Sequence, residues 1–204
     1  MAKRITIWSP KGGQGKTSLA LAIALEFKWL VITNDTHSPI DDVLPEGEAM
    51  RLQPHESFPE VPRSEKMIYD LGGHSEARVI EAASDSDVVI MPVIYNSPFE
   101  MQVFLEGVAE MLEINPNILL VVNACEKGKF KTTAEIIQGY FPQLPLVEIK
   151  KSRAFSRIIE EGKSLGEICA NNGLDHYHFI GVKRQLNTLM TQAFKICTQR
   201  KEAA

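Results

Sequence analysis

The segment Lys11-Gly12-Gly13-Gln14-Gly15-Lys16-Thr17-Ser18 constrains this chain more than any other, because of what flanks it. An apolar run, Ile5 to Trp8, stands just before it, and a helix-forming run, Ser18 to Phe27, follows at once. A strand, a glycine-rich turn and a helix in this order aim the N–H groups of the turn and the positive end of the helix at one place, which suits an anion. Glycines at 12, 13 and 15 let the backbone close around a polyphosphate, with Gln14 and Ser18 completing the loop. Lys16 then reaches the β and γ phosphates, and the Thr17 hydroxyl is placed for Mg2+. A Gly-x-x-x-x-Gly-Lys-Thr pattern would open at Pro10, where this chain lacks glycine. It carries instead a second lysine, Lys11, at the mouth of the loop.

A length of 204 residues with 44% hydrophobic content is enough for one substantial core, and no linker divides residues 1–204, so a single domain is expected. The three cysteines, Cys125, Cys169 and Cys197, are far apart and form no Cys-x-x-Cys pair. Neither a disulfide framework nor a zinc site is indicated, and buried reduced thiols are expected. Met-Ala-Lys-Arg leads straight into a strand without the apolar run of a signal peptide, and no stretch reaches membrane-spanning length, which points to the cytoplasm. The net charge of −4 hides an asymmetry: residues 1–126 carry 9 Lys/Arg against 19 Asp/Glu, and residues 127–204 carry 13 against 7. The basic back half permits a local anion-binding surface.

Short apolar runs recur at Ile5 to Trp8, Leu30 to Thr33, Met67 to Tyr69, Val88 to Val93, Ile118 to Val122 and Leu146 to Ile149. Runs without polar alternation suit strands covered on both faces of a parallel sheet. Helical stretches lie between most of them. Ser97-Pro98-Phe99-Glu100 reads as a capping box opening a helix that ends at Asn115-Pro116, and Thr132-Thr133-Ala134-Glu135 reads as a second box. Residues 36–65, with five prolines and many acids, read as a loop or short-helix excursion. The alternation predicts a doubly wound α/β fold, mostly parallel with helices on both faces, and a ligand site outside the carboxyl ends of the strands. Met67-Ile68-Tyr69-Asp70 followed by Leu71-Gly72-Gly73 has the pattern of a Walker B strand, whose Asp70 supports Mg2+, opening a glycine switch for the γ phosphate.

The form Lys-Gly-Gly-x-Gly-Lys-Thr at residues 11–17 resembles the deviant phosphate loop of the ParA/MinD family of P-loop ATPases, closest to the small plasmid-type ParA partition proteins. Residues 83–98 resemble the strand after Walker B and its Pro-Ser-Pro turn. Residues 149–165 resemble the segment that closes over adenine. The resemblance implies an ATP-dependent homodimer in which Lys11 reaches the nucleotide of the other subunit. It also implies Mg2+, with Thr17, Asp35 and Asp70 around it, slow hydrolysis with the water oriented by Asp35, and adenine read by the Asn123 side chain. The family usually shows Asp-x-Asp-Pro-Gln where this chain has Thr33-Asn34-Asp35-Thr36-His37, so only the second carboxylate remains, and His37 reads as an exposed loop residue. The join from Phe27 to Leu30 is also tighter than the family's glycine-containing turn.

By the same resemblance the dimer binds DNA without sequence preference, a centromere-binding or adaptor protein stimulates hydrolysis, and the protein is nucleoid-associated when on DNA. Lys150, Lys151, Arg153, Arg157, Lys183 and Arg184 are the candidate phosphate-backbone contacts, with Lys127, Lys129 and Lys131 competing. MinD-type relatives bind membranes through a C-terminal helix. Here the stripe Leu186, Leu189, Met190, Ala193, Phe194 and Cys197 is expected to pack on the sheet instead. A third reading is an ATP-dependent metabolic synthetase of related architecture, against which Lys11 and the lack of a further catalytic cluster weigh. His176-Tyr177-His178 lacks further ligands for a metal and reads as surface.

Overall fold

The computed structural model describes residues 3–53, 55–72, 76–170 and 173–203. Strands β1 (Arg4–Ile7), β2 (Leu30–Thr33), β3 (Ala49–Arg51), β4 (Met67–Asp70), β5 (Val88–Val93), β6 (Ile118–Cys125) and β7 (Leu146–Lys150) form one sheet. Their order is β3-β2-β4-β1-β5-β6-β7, and every neighbouring pair is parallel. The helices are α1 (Lys16–Phe27), α2 (Ile40–Val43), α3 (Glu76–Asp85), α4 (Pro98–Ile114), α5 (Phe130–Tyr140), α6 (Ala154–Glu161), α7 (Leu165–Cys169) and α8 (Leu174–Ala203). This is the doubly wound α/β architecture that the alternating runs imply. The central strands β1, β4 and β5 are buried along their whole length because helices cover both faces of the sheet.

Two cores result. One holds α1, α2, α6, α7 and α8 against the sheet, with Ile5, Ile7 and Val121 among the strand residues; the other holds α3, α4 and α5 around Tyr69, Met91 and Leu120. Helix α1 is buried from Leu19 to Leu25, because α6 and α7 cover the side that the sheet does not. A helix sealed all round needs no polar face, which explains the unbroken apolar run after the glycine-rich loop. The stripe on α8 packs as expected: Leu186, Leu189, Met190, Ala193 and Cys197 are buried in the first core, and the Phe194 ring lies tilted against the buried Trp29, centroids 6.3 Å apart. No helix among the described residues is long and apolar enough to cross a membrane.

Several local expectations change. Strand β3 appears inside the proline-rich excursion, three residues long at the sheet edge, too short and too polar to stand out by pattern. Helix α5 starts at Phe130, ahead of the supposed Thr132 box: Thr133 Oγ1 donates back to Lys129 O within the first turn, and no side chain caps the helix. A full capping box exists elsewhere, at Ser164 and Glu167 opening α7. The tight join after α1 is made by Lys28, whose φ of 58° puts a residue with a Cβ in the left-handed region while Trp29 N closes on Ala24 O. Glycine takes that conformation without the steric cost of a Cβ. Lys28→Gly is therefore expected to raise stability by about 1 kcal/mol in urea unfolding, and a loss of stability would contradict the assignment.

Candidate functional site

The chain leaves β1 in the middle of the sheet, between β4 and β5, and the loop 11–15 crosses the carboxyl ends of the strands where the winding direction reverses. Gly13 (φ 75°) and Gly15 (φ 79°) are left-handed, and Gly15 is the N-cap of α1. Successive N–H groups in such a turn form an anion nest. The first turn of α1 carries no acidic residue, so its positive end is not neutralised from within.

The loop is tied to two strand ends. Gln14 is buried, and its Oε1 accepts from Ile94 N just past β5. The Gln14 side chain thus turns inward, away from the mouth of the loop. Asn123 Nδ2 donates to Gln14 O at 2.8 Å. A bulge aims that amide: Val122 pairs with Glu148 and Cys125 with Lys150, so Asn123 and Ala124 together oppose Ile149 alone. Ala124 takes a φ of 45°, backbone strain that the bulge imposes. The fit is close enough that a Cβ on Gly15 would lie 2.3 Å from Asn123 Nδ2. Asn123, expected to read a base edge, thus also braces the loop through one of its two amide hydrogens.

Behind the loop sits Asp70, at the end of β4 and 1% exposed. Both its carboxylate oxygens are buried without a hydrogen bond of ordinary geometry. Burial pushes its pKa up to about 6, against the pull of the Thr17 hydroxyl and the Lys16 ammonium and with a small push from Asp35. Burial likewise lowers the Lys16 pKa from the usual range, while Asp70 and Asp35 hold it up in part. Two orphaned oxygens facing a hydroxyl and a second carboxylate form an all-oxygen donor set, which fits Mg2+. Among the described residues no three His, Cys, Asp or Glu side chains gather into a cage. The set of Asp70, Asp35 and Thr17 is therefore one that phosphate oxygens and water would complete.

Asp35 owes its place to residues that the motif-based reading left without a role. Thr33 Oγ1 donates to Asp70 O at 2.7 Å and accepts from Asp35 N, joining the ends of β2 and β4. Asn34 Oδ1 accepts from Gly72 N at 2.9 Å, and a Cβ on Gly72 would come 3.1 Å from Asp35 Cβ. Arg51, on β3, donates to Asp35 O and Ser38 O and pairs with Asp41. Asp35 Oδ1 accepts from His37 N, and the His37 ring is exposed. The hydroxyl of Thr33, in place of a carboxylate, was the available sequence signal. Gly73, the second glycine of the expected switch, lies outside the described residues.

Lys11 stands half-exposed at the loop mouth, ion-paired with Glu100 of α4. Two clefts flank the loop. One, of about 580 Å³, is lined by Tyr95, Asn123, Ala124, Lys129, Thr133 and Lys151; the other, of about 570 Å³, by Trp8, Lys11, Lys16, Val79, Ile80 and Met111. Of the expected DNA-contacting residues, Arg157 pairs with Glu161 and Asp175, Lys183 with Glu26 and Lys151 with Glu126. Lys150, Arg153 and Arg184 are exposed and enter no ion pair among the described residues. Among the competitors Lys131 pairs with Glu135, while Lys127 and Lys129 are exposed. His176 Nδ1 meets Cys169 O, 3.0 Å away. All three cysteines are buried.

By sequence the chain matches no family model and no curated protein. By structure it is similar to the McdA–ATP complex of Cyanothece, with 13% identity over 93% of this chain and 95% of that one and a TM-score of 0.66. It is similar to the septum site-determining protein MinD of Pyrococcus horikoshii complexed with Mg-ADP, at 16% identity, 93% and 94% coverage and a TM-score of 0.61. It is also similar to a putative plasmid partition protein of Borrelia burgdorferi bound to AMPPNP, at 14% identity, 98% and 100% coverage and a TM-score of 0.57. The fold is thus the P-loop α/β fold of the MinD, McdA and partition-protein structures, the group that residues 11–17 resemble.

An acid whose pKa rises on folding holds its proton more tightly folded than unfolded, so stability falls as pH climbs from about 4 through about 6 and stays reduced above. Asp70→Asn is therefore expected to stabilise the nucleotide-free protein at pH 7, by up to roughly 3 kcal/mol, with the gain falling away between about pH 6 and pH 4. Denaturant titrations at the two pH values check this, and a less stable variant at pH 7 would contradict it. Asn123→Ala separates its two roles. If bracing dominates, affinity for ATP and for GTP falls by the same factor, about five- to tenfold for one lost hydrogen bond; a selective loss of ATP binding would return Asn123 to base reading.

Proposed function

We propose that this chain is an ATP-dependent dimerisation switch of the ParA type that hydrolyses ATP slowly and positions DNA-borne or other cargo. The observation that carries the reading is the loop itself: two left-handed glycines and the unneutralised end of α1 around Lys16 and Thr17, with Lys11 exposed at the mouth. The nucleotides named in the McdA, MinD and partition-protein structures support ATP as the ligand.

In this reading the phosphates lie against the N–H groups of the loop and Lys16 neutralises the β and γ oxygens. Asp70, Asp35 and Thr17 hold the Mg2+, which when bound supplies further neutralisation of the phosphate charge. Asp35, fixed by Thr33 and Arg51, orients the attacking water. The base takes the cleft beside Asn123, Ala124 and Lys151. Lys11 reaches the nucleotide of a second copy, and Lys150, Arg153 and Arg184, which enter no ion pair among the described residues, supply phosphate-backbone contacts to DNA. An adaptor protein would stimulate hydrolysis and release the dimer.

Calorimetry and light scattering test this together. Lys16→Ala is expected to abolish ATP binding, and Lys11→Ala to keep ATP binding but lose the ATP-dependent dimer. An ATP-dependent dimer of Lys11→Ala as tight as that of the parent protein would remove the cross-subunit role. Charge reversal at Lys150, Arg153 and Arg184 should abolish retention on nonspecific duplex DNA at low salt and leave the dimer intact; unchanged retention would remove the DNA assignment.

A further inference from the structure

Helix α4 touches the mouth of the phosphate loop at two points on one face. At Gly107 it lies so close that a Cβ would come 2.7 Å from Pro10 Cγ, the residue standing where the plain loop pattern begins with glycine. Seven residues earlier, two turns along the same face, Glu100 forms an ion pair with Lys11. The first contact sets the distance between helix and loop, and the second uses it.

The carboxylate of Glu100 has another place to go. Ser97 Oγ accepts from Glu100 N at 3.2 Å, the first half of a capping box whose second half would return Glu100 to the Ser97 N–H. That return is not made; Glu100 turns outward, accepts from Asn96 Nδ2 at 3.0 Å and takes Lys11 as its ion-pair partner. The pairing with Lys11, followed by the Asn96 contact, holds the carboxylate below its usual range. The fold thus gives up a local bond in order to hold the lysine of the loop mouth.

We propose that Glu100 is a positioning residue for Lys11: it parks the ammonium over its own protomer and must release it before Lys11 can reach the nucleotide of a second copy. This rests on the cross-subunit role of Lys11 proposed above. A two-fold dimer breaks two such pairs. Since a partly exposed pair holds its partners by a factor between just over one and about five, removing both tightens the dimer by roughly two- to thirtyfold. Glu100 is thus a brake on assembly, and ATP must supply enough binding energy to overcome it.

The experiment measures the dimer constant in Mg-ATP by sedimentation for the parent protein, Glu100→Gln, Glu100→Asp and Lys11→Ala. It also measures the acylation rate of Lys11 in the nucleotide-free protein, by peptide mass spectrometry. Glu100→Asp keeps the charge at the start of α4 but shortens the reach, so it should tighten the dimer as Glu100→Gln does, and both should label faster at Lys11. It also serves if Glu100→Gln does not fold. A dimer no tighter in the foldable Glu100 variants, with Lys11→Ala unable to dimerise, overturns the brake and leaves the cross-subunit lysine standing. An ATP-dependent dimer of Lys11→Ala equal to the parent's overturns the cross-subunit lysine and the brake with it.

Discussion

The carboxylate of Asp70 is held at the end of a central strand, out of water, with no hydrogen bond of ordinary geometry to either oxygen. Such a group costs free energy in every nucleotide-free molecule, and the rise of its pKa to about 6 measures how poorly the site tolerates the charge. Lys16, the cation that faces it, is itself desolvated and loses basicity there. The two groups are therefore both stranded by burial, and a ligand bringing phosphate to one and a cation to the other relieves both. On this account the nucleotide site is an electrostatic deficit built into the end of the sheet, around which the loops are arranged.

The supports run from each neighbouring strand to that point. Gln14 ties the loop to the end of β5 and Asn123 ties it to the end of β6, while Thr33 ties β2 to β4 and hands its oxygen to the main chain of Asp35. Arg51 reaches from the edge strand to fix the loop that carries Asp35. The backbone of the glycine-rich loop and of the Asp35 loop is thus positioned by buried and part-buried polar contacts, several of them between residues far apart in sequence. Sites held in this way keep their geometry before the ligand arrives, which reduces the ordering cost of binding.

The parts legible in the sequence were those written locally. The glycine-rich loop between an apolar strand and an apolar helix, the Asp ending Met67 to Asp70 and the six apolar runs each carry their signal within a few neighbours. Gln14 and Asn123 were picked out, but the direction of their side chains depends on a bulge in β6 and on a strand-end N–H, neither of which a one-dimensional pattern displays. Thr33 was visible only as the loss of an expected carboxylate, because its bond to Asp70 O joins strands 37 residues apart. Strand β3 and the start of α5 were missed for a different reason. The first is set by pairing at a sheet edge, and the second lacks the cap that usually marks a helix start. Among the basic residues, composition showed charge, whereas Glu126, Asp175 and Glu26, which neutralise Lys151, Arg157 and Lys183, come from other turns and helices; Glu161, one turn along α6 from Arg157, is the local exception.

Sedimentation velocity of the unmodified protein in Mg-ATP, against the same protein in Mg-ADP, tests the central claim most directly. The account predicts a dimer boundary in Mg-ATP alone, returning to the monomer boundary as ATP is consumed. The same sedimentation coefficient in both nucleotides, under conditions where calorimetry shows ATP bound, would contradict it.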